Sequence, residues 1–354
     1  MRIALLSYST KPRGGVVHTL SLAEALAAKG ADVTVWSLGR GGDTTFYRAV
    51  DPRVRLSVVP FPDQPGEGVG DRILRSIAVL RNAFDPTAYD IIHAQDCISA
   101  NAVGRCIRTV HHLDTFTTPE LVACHERAIV TPYAHICVST AVAAELATGW
   151  GLEATVIPNG VDAARFAAAA ADPAALARQR ERFGRYIVTV GGIEPRKGSF
   201  ELLEAFALIN DPDLSLVIAG GETLFDYRDY RASWEKRAAE LGVTPLVLGS
   251  VADPDLPSLV AAAEAFAFPS IKEGFGLAPL EALAAGVPLV VSDLPVFHEI
   301  FGTAAAYAAT PAQLAAHLTA PPDPSRRAAG QALATSYTWQ AAATAHLEFY
   351  FKNL

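Results

Sequence analysis

The sequence predicts an α/β protein made of two Rossmann-like domains, each built on a mostly parallel sheet. Short apolar runs alternate with helical segments along most of the 354 residues. The alternation lapses once, in an alanine-rich stretch at 163–180, and then begins again. A chain of this length has room for two domains of ordinary size, each with its own core.

The first half begins with one β-α-β unit. Residues 3–7 form an apolar run suited to a buried parallel strand, and residues 16–29 carry apolar side chains at helical spacing. Gly30 ends this helix. The further strands of this half are predicted at 32–37, 56–59, 91–93, 109–111 and 136–139. Because helical segments separate most of these runs, we expect a parallel sheet covered by helices on both faces.

The second half repeats the alternation of predicted strands and helices. Strands are predicted at 186–190, 214–219, 246–248, 265–269 and 289–292. Helices are predicted at 198–208, 233–241, 257–263, 279–285 and 339–351, and proline-rich loops at 60–65 and 321–324. Two open α/β sheets in series predict a cleft lined by the carboxyl ends of the strands of both halves.

Composition excludes several classes of protein. With 51% hydrophobic and 19% charged residues the chain is globular, and its net charge of −8 argues against a nucleic-acid partner. The four cysteines, Cys97, Cys106, Cys124 and Cys137, lack metal-like spacing and suit a reducing compartment. The sequence contains no run of 18 apolar residues, so no membrane span is predicted. Residues 1–7 fit a strand better than a signal peptide. We therefore expect a cytoplasmic protein.

The strongest motif is PSIKEGFGLAPLEALAAGVP at 269–288, between a predicted strand and a predicted helix. Glu273 lies at the strand exit, where a carboxylate can accept hydrogen bonds from sugar hydroxyls. Gly274 and Gly276 allow a ligand to approach the backbone, and the helix that starts near Leu277 points its positive end at the same place. Glu281, early on that helix, is within reach of a ribose diol. The alternative is a glycine turn flanked by solvated acids.

A second motif, VGGIEPRKG at 190–198, also joins a strand to a helix. Arg196 and Lys197 precede the helix at its positive end, which is unfavourable unless an anion joins them. A diphosphate resolves this conflict, because arginine can fork two oxygens while lysine acts as a point charge. The alternative is an exposed basic pair in a loop.

Other nucleotide- or sugar-binding classes fit less well. A dehydrogenase needs GxGxxG after the first strand, and only Gly14 and Gly15 occur there. A periplasmic-type two-domain sugar-binding protein needs a signal peptide and has no use for Arg196 and Lys197 at a helix start. A sugar-nucleotide epimerase of the same architecture remains the nearest alternative enzyme.

With both motifs in place, the chain resembles the GT-B family of retaining glycosyltransferases usually called family 4. The resemblance covers nearly the whole chain. Its most specific element is Glu273 and Glu281 at their eight-residue spacing. The other matching positions are Gly14-Gly15, TVH at 109–111, VS at 138–139, IPNGVD at 157–162, EPRKG at 194–198, Glu299 and Trp339. The resemblance implies a GT-B fold, with an acceptor domain at 1–165, a donor domain at 166–338, and a helix at 339–354 packing back on the first.

The resemblance also implies roles for the residues of the second half. Arg196 and Lys197 hold the donor diphosphate and stabilise the leaving group, Glu273 contacts the sugar, and Glu281 contacts the ribose. The amides that cradle phosphate oxygens belong to Gly274, Phe275, Gly276 and Leu277. The chain departs from the family pattern at Gly192, where many relatives carry an arginine. The resemblance then implies that Arg196 takes over part of the role of that arginine.

In the first half, the resemblance places Gly14 and Gly15 near the phosphates or the acceptor, and His111 at the sugar ring. His112 follows directly, but the Thr-x-His spacing favours His111. The acceptor is expected near the loops at 39–48 and 61–72.

The implied activity is transfer of a hexose from a nucleotide-diphosphate sugar, of UDP or GDP type, with retention of configuration (EC 2.4). The acceptor is a small molecule, a glycan or a lipid-linked group. The nucleotide sugar is a co-substrate, and neither a cofactor nor a metal is expected, because no metal-binding DxD with supporting ligands occurs. An epimerase or a non-enzymatic sugar-binding protein is the alternative.

Other polar residues are expected to be structural. His18 is more typical of helix packing than of ligand binding, and His93 fits core packing or the cleft equally. Asp114 suits a loop cap. Asn159 and Asp162 suit a tight turn between the domains.

Overall fold

The computed structural model describes residues 1–220 and 227–354, which divide into two compact units. The first unit comprises Met1–Gly160 and Trp339–Leu354, and the second comprises Val161–Thr338. The sequence places this boundary at 165, five residues later. Across the described ranges, every helix is too short or too polar to cross a membrane.

The sheet of the first unit is entirely parallel, with the described strands in the order β3-β2-β1-β4-β5-β6-β7. The strands are β1 (Arg2–Leu6), β2 (Asp32–Arg40), β3 (Arg55–Phe61), β4 (Ile91–Ala94), β5 (Ile107–Val110), β6 (Ala134–Cys137) and β7 (Thr155–Val156). The helices between them are α1 (Gly14–Ala28), α2 (Val69–Ala83), α3 (Cys97–Val103), α4 (Pro119–Val130) and α5 (Thr140–Trp150).

The second unit repeats this design, with described strands in the parallel order β10-β9-β8-β11-β12-β13. The strands are β8 (Arg185–Val190), β9 (Leu214–Ala219), β10 (Leu246–Gly249), β11 (Ala265–Phe268), β12 (Leu289–Ser292) and β13 (Ala306–Ala308). The helices are α6 (Ala163–Ala170), α7 (Pro173–Phe183), α8 (Ser199–Ile209), α9 (Arg228–Glu240), α10 (Leu256–Ala261), α11 (Leu277–Ala284), α12 (Pro295–Phe301), α13 (Pro311–Leu318) and α14 (Pro324–Ser336). The last helix, α15 (Trp339–Lys352), belongs to the first unit and packs on α1.

The central strands are apolar on both faces because helices cover both. In β1 all residues after Arg2 are buried, and β11 is buried along its whole length. Burial on both faces explains why these strands lack alternation in sequence. Apolar burial of this kind is the main stabilising contribution to each unit.

Strand order reverses at one place in each sheet, between β1 and β4 in the first unit and between β8 and β11 in the second. In open α/β sheets, ligands bind beside the carboxyl ends of the strands at such a reversal. In the second unit, this edge carries the loops at 191–198 and 269–276, which contain both sequence motifs.

Two expectations about elements need correction, and the alanine-rich stretch at 163–180 contains α6 and most of α7. These helices bury few apolar side chains, so they lack the periodicity that predicts a helix. The strand predicted at 109–111 ends at Val110, leaving His111 in the following loop. Pro324 is the first residue of α14, where the carboxylate of Asp323 caps the helix.

Candidate active site

In the second unit, the loops after β8 and β11 are joined by their backbones. The amide of Ile271 donates to the carbonyl of Arg196 at 2.9 Å. Gly198 has a φ of +63°, and a Cβ there would lie 1.9 Å from the carbonyl oxygen of Pro269. Only glycine allows this approach, so Gly198 fixes the spacing of the two motifs.

Three charged side chains meet where these loops touch. Nη1 of Arg196 donates to Oε1 of Glu273 at 2.6 Å, and Nζ of Lys197 donates to the same oxygen at 2.5 Å. The hydroxyl of Ser270 donates to it at 3.3 Å. Arg196 also donates to the carbonyl of Lys272 at 3.3 Å. One carboxylate oxygen therefore balances two cations.

Lys197 is enclosed rather than solvated. Its stem passes Gly191, and its ammonium lies 4.7 Å from the ring centre of Phe268. Burial lowers the pKa of Lys197 from its ordinary value, while the charge of Glu273 opposes the shift and that of Arg196 adds to it. A desolvated cation interacts more strongly with an anion than a solvated one does.

Beside this charge cluster, the loop entering α11 presents a row of backbone amides. Within the described residues, no hydrogen-bond acceptor lies in reach of the N–H groups of Gly274, Phe275, Gly276 and Leu277. Gly276 has a φ of +107°, and a Cβ there would lie 2.8 Å from the ring of Phe301. Glycine is thus required, and the row of amides at the start of α11 can accept an anion.

Glu281 lies apart from the charge cluster. The carboxylate is half-buried near Arg165, Asp253 and Asp162, and in the described part of the chain it makes neither a hydrogen bond nor an ion pair. Burial raises the pKa of Glu281 to about 8, with Arg165 opposing the shift and the two aspartates adding to it. Burial therefore favours the protonated form of this carboxyl.

In the first unit, His111 lies over the start of α1. Its ring atoms Cδ2 and Nε2 are 3.9 Å from the Cβ position of Gly15, and Nε2 is 3.2 Å from Oε1 of Gln95. His112 instead pairs with Asp114, at 2.8 Å. The structure thus brings His111, and not His112, to the glycine pair.

His111 adjoins three buried histidines, His18, His93 and His346, named here the histidine cluster. Nδ1 of His18 lies 2.8 Å from Oδ1 of Asn159, and the ring of His18 packs edge-on against His111, with centres 4.8 Å apart. His93 contacts the hydroxyls of Tyr350 and Thr109, while His346 packs against both His93 and His18. Burial lowers the pKa of His18 to about 3 and that of His346 to about 4, and lowers those of His93 and His111 well below the usual value. All four rings are neutral at physiological pH.

Two family models match the chain. Residues 12–165 match the model described as Glycosyltransferase Family 4, and residues 176–319 match Glycosyl transferases group 1. The phosphatidyl-myo-inositol mannosyltransferase of Mycobacterium tuberculosis is 30% identical, over 85% of this chain and 80% of the relative. The chain belongs to glycosyltransferase family 4. It is therefore an enzyme of the EC 2.4 class.

Two further proteins support this assignment. The D-inositol 3-phosphate glycosyltransferase of Salinispora arenicola is 29% identical, over 82% of this chain and 76% of the relative. Anabaena HepE, solved in complex with UDP and glucose, is 21% identical and superposes with a TM-score of 0.76, over 99% of both chains. This structural likeness confirms the GT-B fold of the glycosyltransferase.

Three other positions that carry the family resemblance lie beside or outside the cluster of Arg196, Lys197 and Glu273. Gly192 lines the same depression as Lys197 and Ser270. Glu299 is exposed on α12, and Trp339 packs against His18, with ring centres 5.5 Å apart.

Sequence reasoning missed two polar partners in the glycosyltransferase. Gln95 had no recognised role, although it directly follows β4 beside His93. Asn159, expected only in a turn, is the partner of His18. Their positions in the sequence could have indicated these contacts. Residues that directly follow adjacent parallel strands lie at the same edge of the sheet.

Proposed function

We propose that this glycosyltransferase moves a sugar from a nucleotide-diphosphate sugar to an acceptor hydroxyl with retention of configuration. The second unit holds the donor, and the first unit holds the acceptor. The observation that carries the proposal is the meeting of Arg196 and Lys197 on one oxygen of Glu273, next to a row of amides that have no acceptor among the described residues.

The arrangement suits the departure of a diphosphate. When the glycosyl–phosphate bond breaks, its electron pair goes to the diphosphate oxygen, and positive charge develops on the sugar. Cations and amides already aimed at the diphosphate stabilise that charge without reorganisation. Arg196 and Lys197 supply the cations, and the N–H groups of Gly274 to Leu277 supply the amides.

Donor binding requires an exchange of partners in this site. In the structure Arg196 and Lys197 both contact Glu273. When phosphate oxygens take over these cations, the carboxylate of Glu273 is released to accept hydrogen bonds from the sugar hydroxyls. Burial favours the protonated form of Glu281, and a protonated carboxyl can both donate to and accept from the ribose hydroxyls.

Retention follows if the acceptor attacks the face from which the diphosphate leaves. The acceptor oxygen bonds to the anomeric carbon, and its proton passes to the departing phosphate oxygen. His111 is neutral and hydrogen-bonded to Gln95, which suits a group that orients the sugar better than one that removes the proton. No metal enters this scheme, and we expect full activity in EDTA.

The activities of similar proteins support a range of substrates. One is a mannosyltransferase acting on phosphatidyl-myo-inositol, another acts on D-inositol 3-phosphate, and HepE was solved with UDP and glucose. We therefore propose a UDP- or GDP-linked hexose as donor and a small-molecule, glycan or lipid-linked acceptor.

A thermal-shift screen with UDP-glucose, GDP-mannose and ADP-glucose tests the donor class. A ligand at 100 times its Kd adds roughly 2.7 kcal/mol to the free energy of unfolding. NMR of the product anomer tests retention, and inversion refutes it. Incubating donor with and without acceptor separates transfer from epimerisation, because an epimerase alters the donor sugar without an acceptor.

A further inference from the structure

Gln95 directly follows β4, and its side chain is buried in the first unit. Its backbone amide donates to the carbonyl of Leu6 at 2.9 Å, which continues the pairing of β4 with β1. The side chain is thereby placed at the carboxyl edge of the sheet, where its Oε1 lies 3.2 Å from Nε2 of His111. The sheet therefore fixes the position of the group that contacts His111.

The ring of His111 is also held by α1. The edge of His18 packs against it, with ring centres 4.8 Å apart and an angle of 79° between the planes. Its Cδ2 and Nε2 lie 3.9 Å from the Cβ position of Gly15. Since Gly15 and His18 both belong to α1, the ring lies between that helix and Gln95. Turning the ring over would carry Nε2 away from Gln95.

The contact with Gln95 decides which nitrogen of His111 carries the proton. A neutral imidazole has one N–H donor and one lone pair, so a partner at one nitrogen fixes the role of the other. The carboxamide oxygen of Gln95 can only accept, which places the proton on Nε2 and the lone pair on Nδ1. Among the described residues Nδ1 has no hydrogen-bond partner, and the ring is only half-buried. The atom of His111 that is left for a ligand is therefore an acceptor.

The orientation of the Gln95 amide determines this result. Its Nε2 is buried and has no partner in the described part of the chain. A reversed amide would present that N–H group to His111, move the ring proton to Nδ1 and leave a donor for the ligand. The two orientations predict opposite tautomers, which a measurement on the protein alone separates.

We infer that Gln95 is a positioning residue that holds the proton of His111 on Nε2 and thereby presents Nδ1 as the acceptor for a hydroxyl of the sugar. Because Gln95 is buried, it acts through His111 and not on the substrate. The role of the sugar rests on the proposed function, whereas the tautomer does not. A lone pair at this position favours a sugar with a hydroxyl there over the corresponding deoxy sugar.

NMR of the protein with ¹⁵N-labelled histidine rings measures the tautomer without donor or acceptor. The chain has nine histidines, and the signals of His111 are those lost in His111→Ala. We expect a protonated Nε2 and an unprotonated Nδ1 in the wild type. Gln95→Met, of similar length but without the carboxamide oxygen, should give a mixture of both tautomers. A proton on Nδ1 in the wild type overturns the inference, as does an unchanged tautomer in Gln95→Met.

Transfer kinetics test whether Gln95 acts through His111. Gln95→Met should lower kcat/KM about fivefold, which corresponds to the loss of one hydrogen bond. In a His111→Ala background the same substitution should change kcat/KM by less than about twofold, because the group that Gln95 positions is absent. Thermal unfolding identifies the folded variants. A full fivefold loss in the His111→Ala background overturns the inference.

Gln95→Glu keeps an acceptor for Nε2 of His111 and adds a negative charge. Burial holds the pKa of His111 well below its usual value in the wild type. The titratable and charged groups that act on the ring from α1, β4, β5 and the following loop are His18, His93, Arg108 and His112. In the variant the carboxylate stabilises the imidazolium and raises the pKa of His111. Transfer should match the wild type above about pH 8 and fall as the pH drops, since a protonated Nδ1 cannot accept.

Gln340→Glu is the matched control, because Gln340 is exposed on α15 of the same unit. It adds the same charge at the surface and should keep the wild-type pH profile. A wild-type pH profile in folded Gln95→Glu overturns the inference. The tautomer of His111 is measured without turnover, so failure of this inference is distinguishable from failure of the proposed transfer reaction, which Lys197 variants test.

Discussion

The carboxyl edges of the two sheets share a topology but differ in chemistry. In the second unit, Arg196, Lys197 and Glu273 form a charged network around one oxygen. In the first unit, His18 is buried and His111 half-buried, and both rings are neutral and hydrogen-bonded to amide side chains. The comparison teaches that strand order creates the place for a ligand, while the loop residues decide whether that place handles charge.

The largest effect is expected in the charged network. Lys197→Ala should lower kcat by about 10²–10³, because it removes a cation aimed at the developing charge of the leaving group. Steady-state transfer kinetics measure this effect. Lys236→Ala, which removes an exposed lysine of the same unit, is the matched control and should retain full activity. An unchanged kcat in Lys197→Ala would show that the charged network does not take part in the reaction.

Glu273→Gln tests the role of the carboxylate in the charged network of the second unit. It should lower turnover at least tenfold, since the sugar loses a charged acceptor. Affinity for the nucleoside diphosphate product should rise, because the negative charge of Glu273 no longer competes with the diphosphate for Arg196 and Lys197. Calorimetry with UDP and GDP gives the affinity. Weaker product binding would contradict the exchange of partners proposed for Glu273.

At the neutral sheet edge of the first unit, we expect smaller losses of transfer activity, and these should differ between His111 and His112. His111→Ala should lower transfer about tenfold, as expected for an orienting group. His112→Ala should change it less than about threefold, because His112 faces Asp114 rather than the glycine pair. Thermal unfolding of both variants controls for loss of fold. Equal losses would break the assignment of His111.

Acid should affect the two units differently. The buried histidines of the first unit have pKa values below the unfolded value of about 6.5, so the unfolded state binds more protons below that pH. Stability is therefore full above pH 6.5 and falls as the pH drops towards 4. The described histidines of the second unit, His298 and His317, are exposed, and the buried histidines all belong to the first unit.

Hydrogen exchange at pH 5.5 and 7, corrected for intrinsic rates, measures this difference. Protection of α1 and α15 should fall at pH 5.5, while protection of α8 should persist. In His346→Gln the loss in the first unit should shrink by about 1 kcal/mol. An equal loss in both units would refute the role of the buried imidazoles.

The fold was largely predictable because the buried strands carry continuous apolar runs. The predicted strands at 214–219 and 289–292 match β9 and β12 residue for residue. Helix α7 was not predicted as such, because it buries little more than Ala175 and Phe183. Periodicity gives no signal where a helix buries so few apolar side chains.

The candidate site was predictable in its location and less so in its contacts. The sequence placed Arg196, Lys197 and Glu273 at the carboxyl ends of strands of one sheet, and the structure brings them together. It gave no indication that Glu273 holds both cations. The contact between His18 and Asn159 joins positions far apart in the chain, and no local pattern encodes such a pair.

The return of the chain to the first unit has a consequence for synthesis. Tyr350 and His346, which complete the histidine cluster, lie on α15, after the whole of the second unit in sequence. Since domains tend to fold as units while the chain emerges from the ribosome, Val161–Thr338 can finish folding while the first unit still lacks its last helix. Truncation before Trp339 should therefore leave an intact second unit attached to an open, aggregation-prone first one.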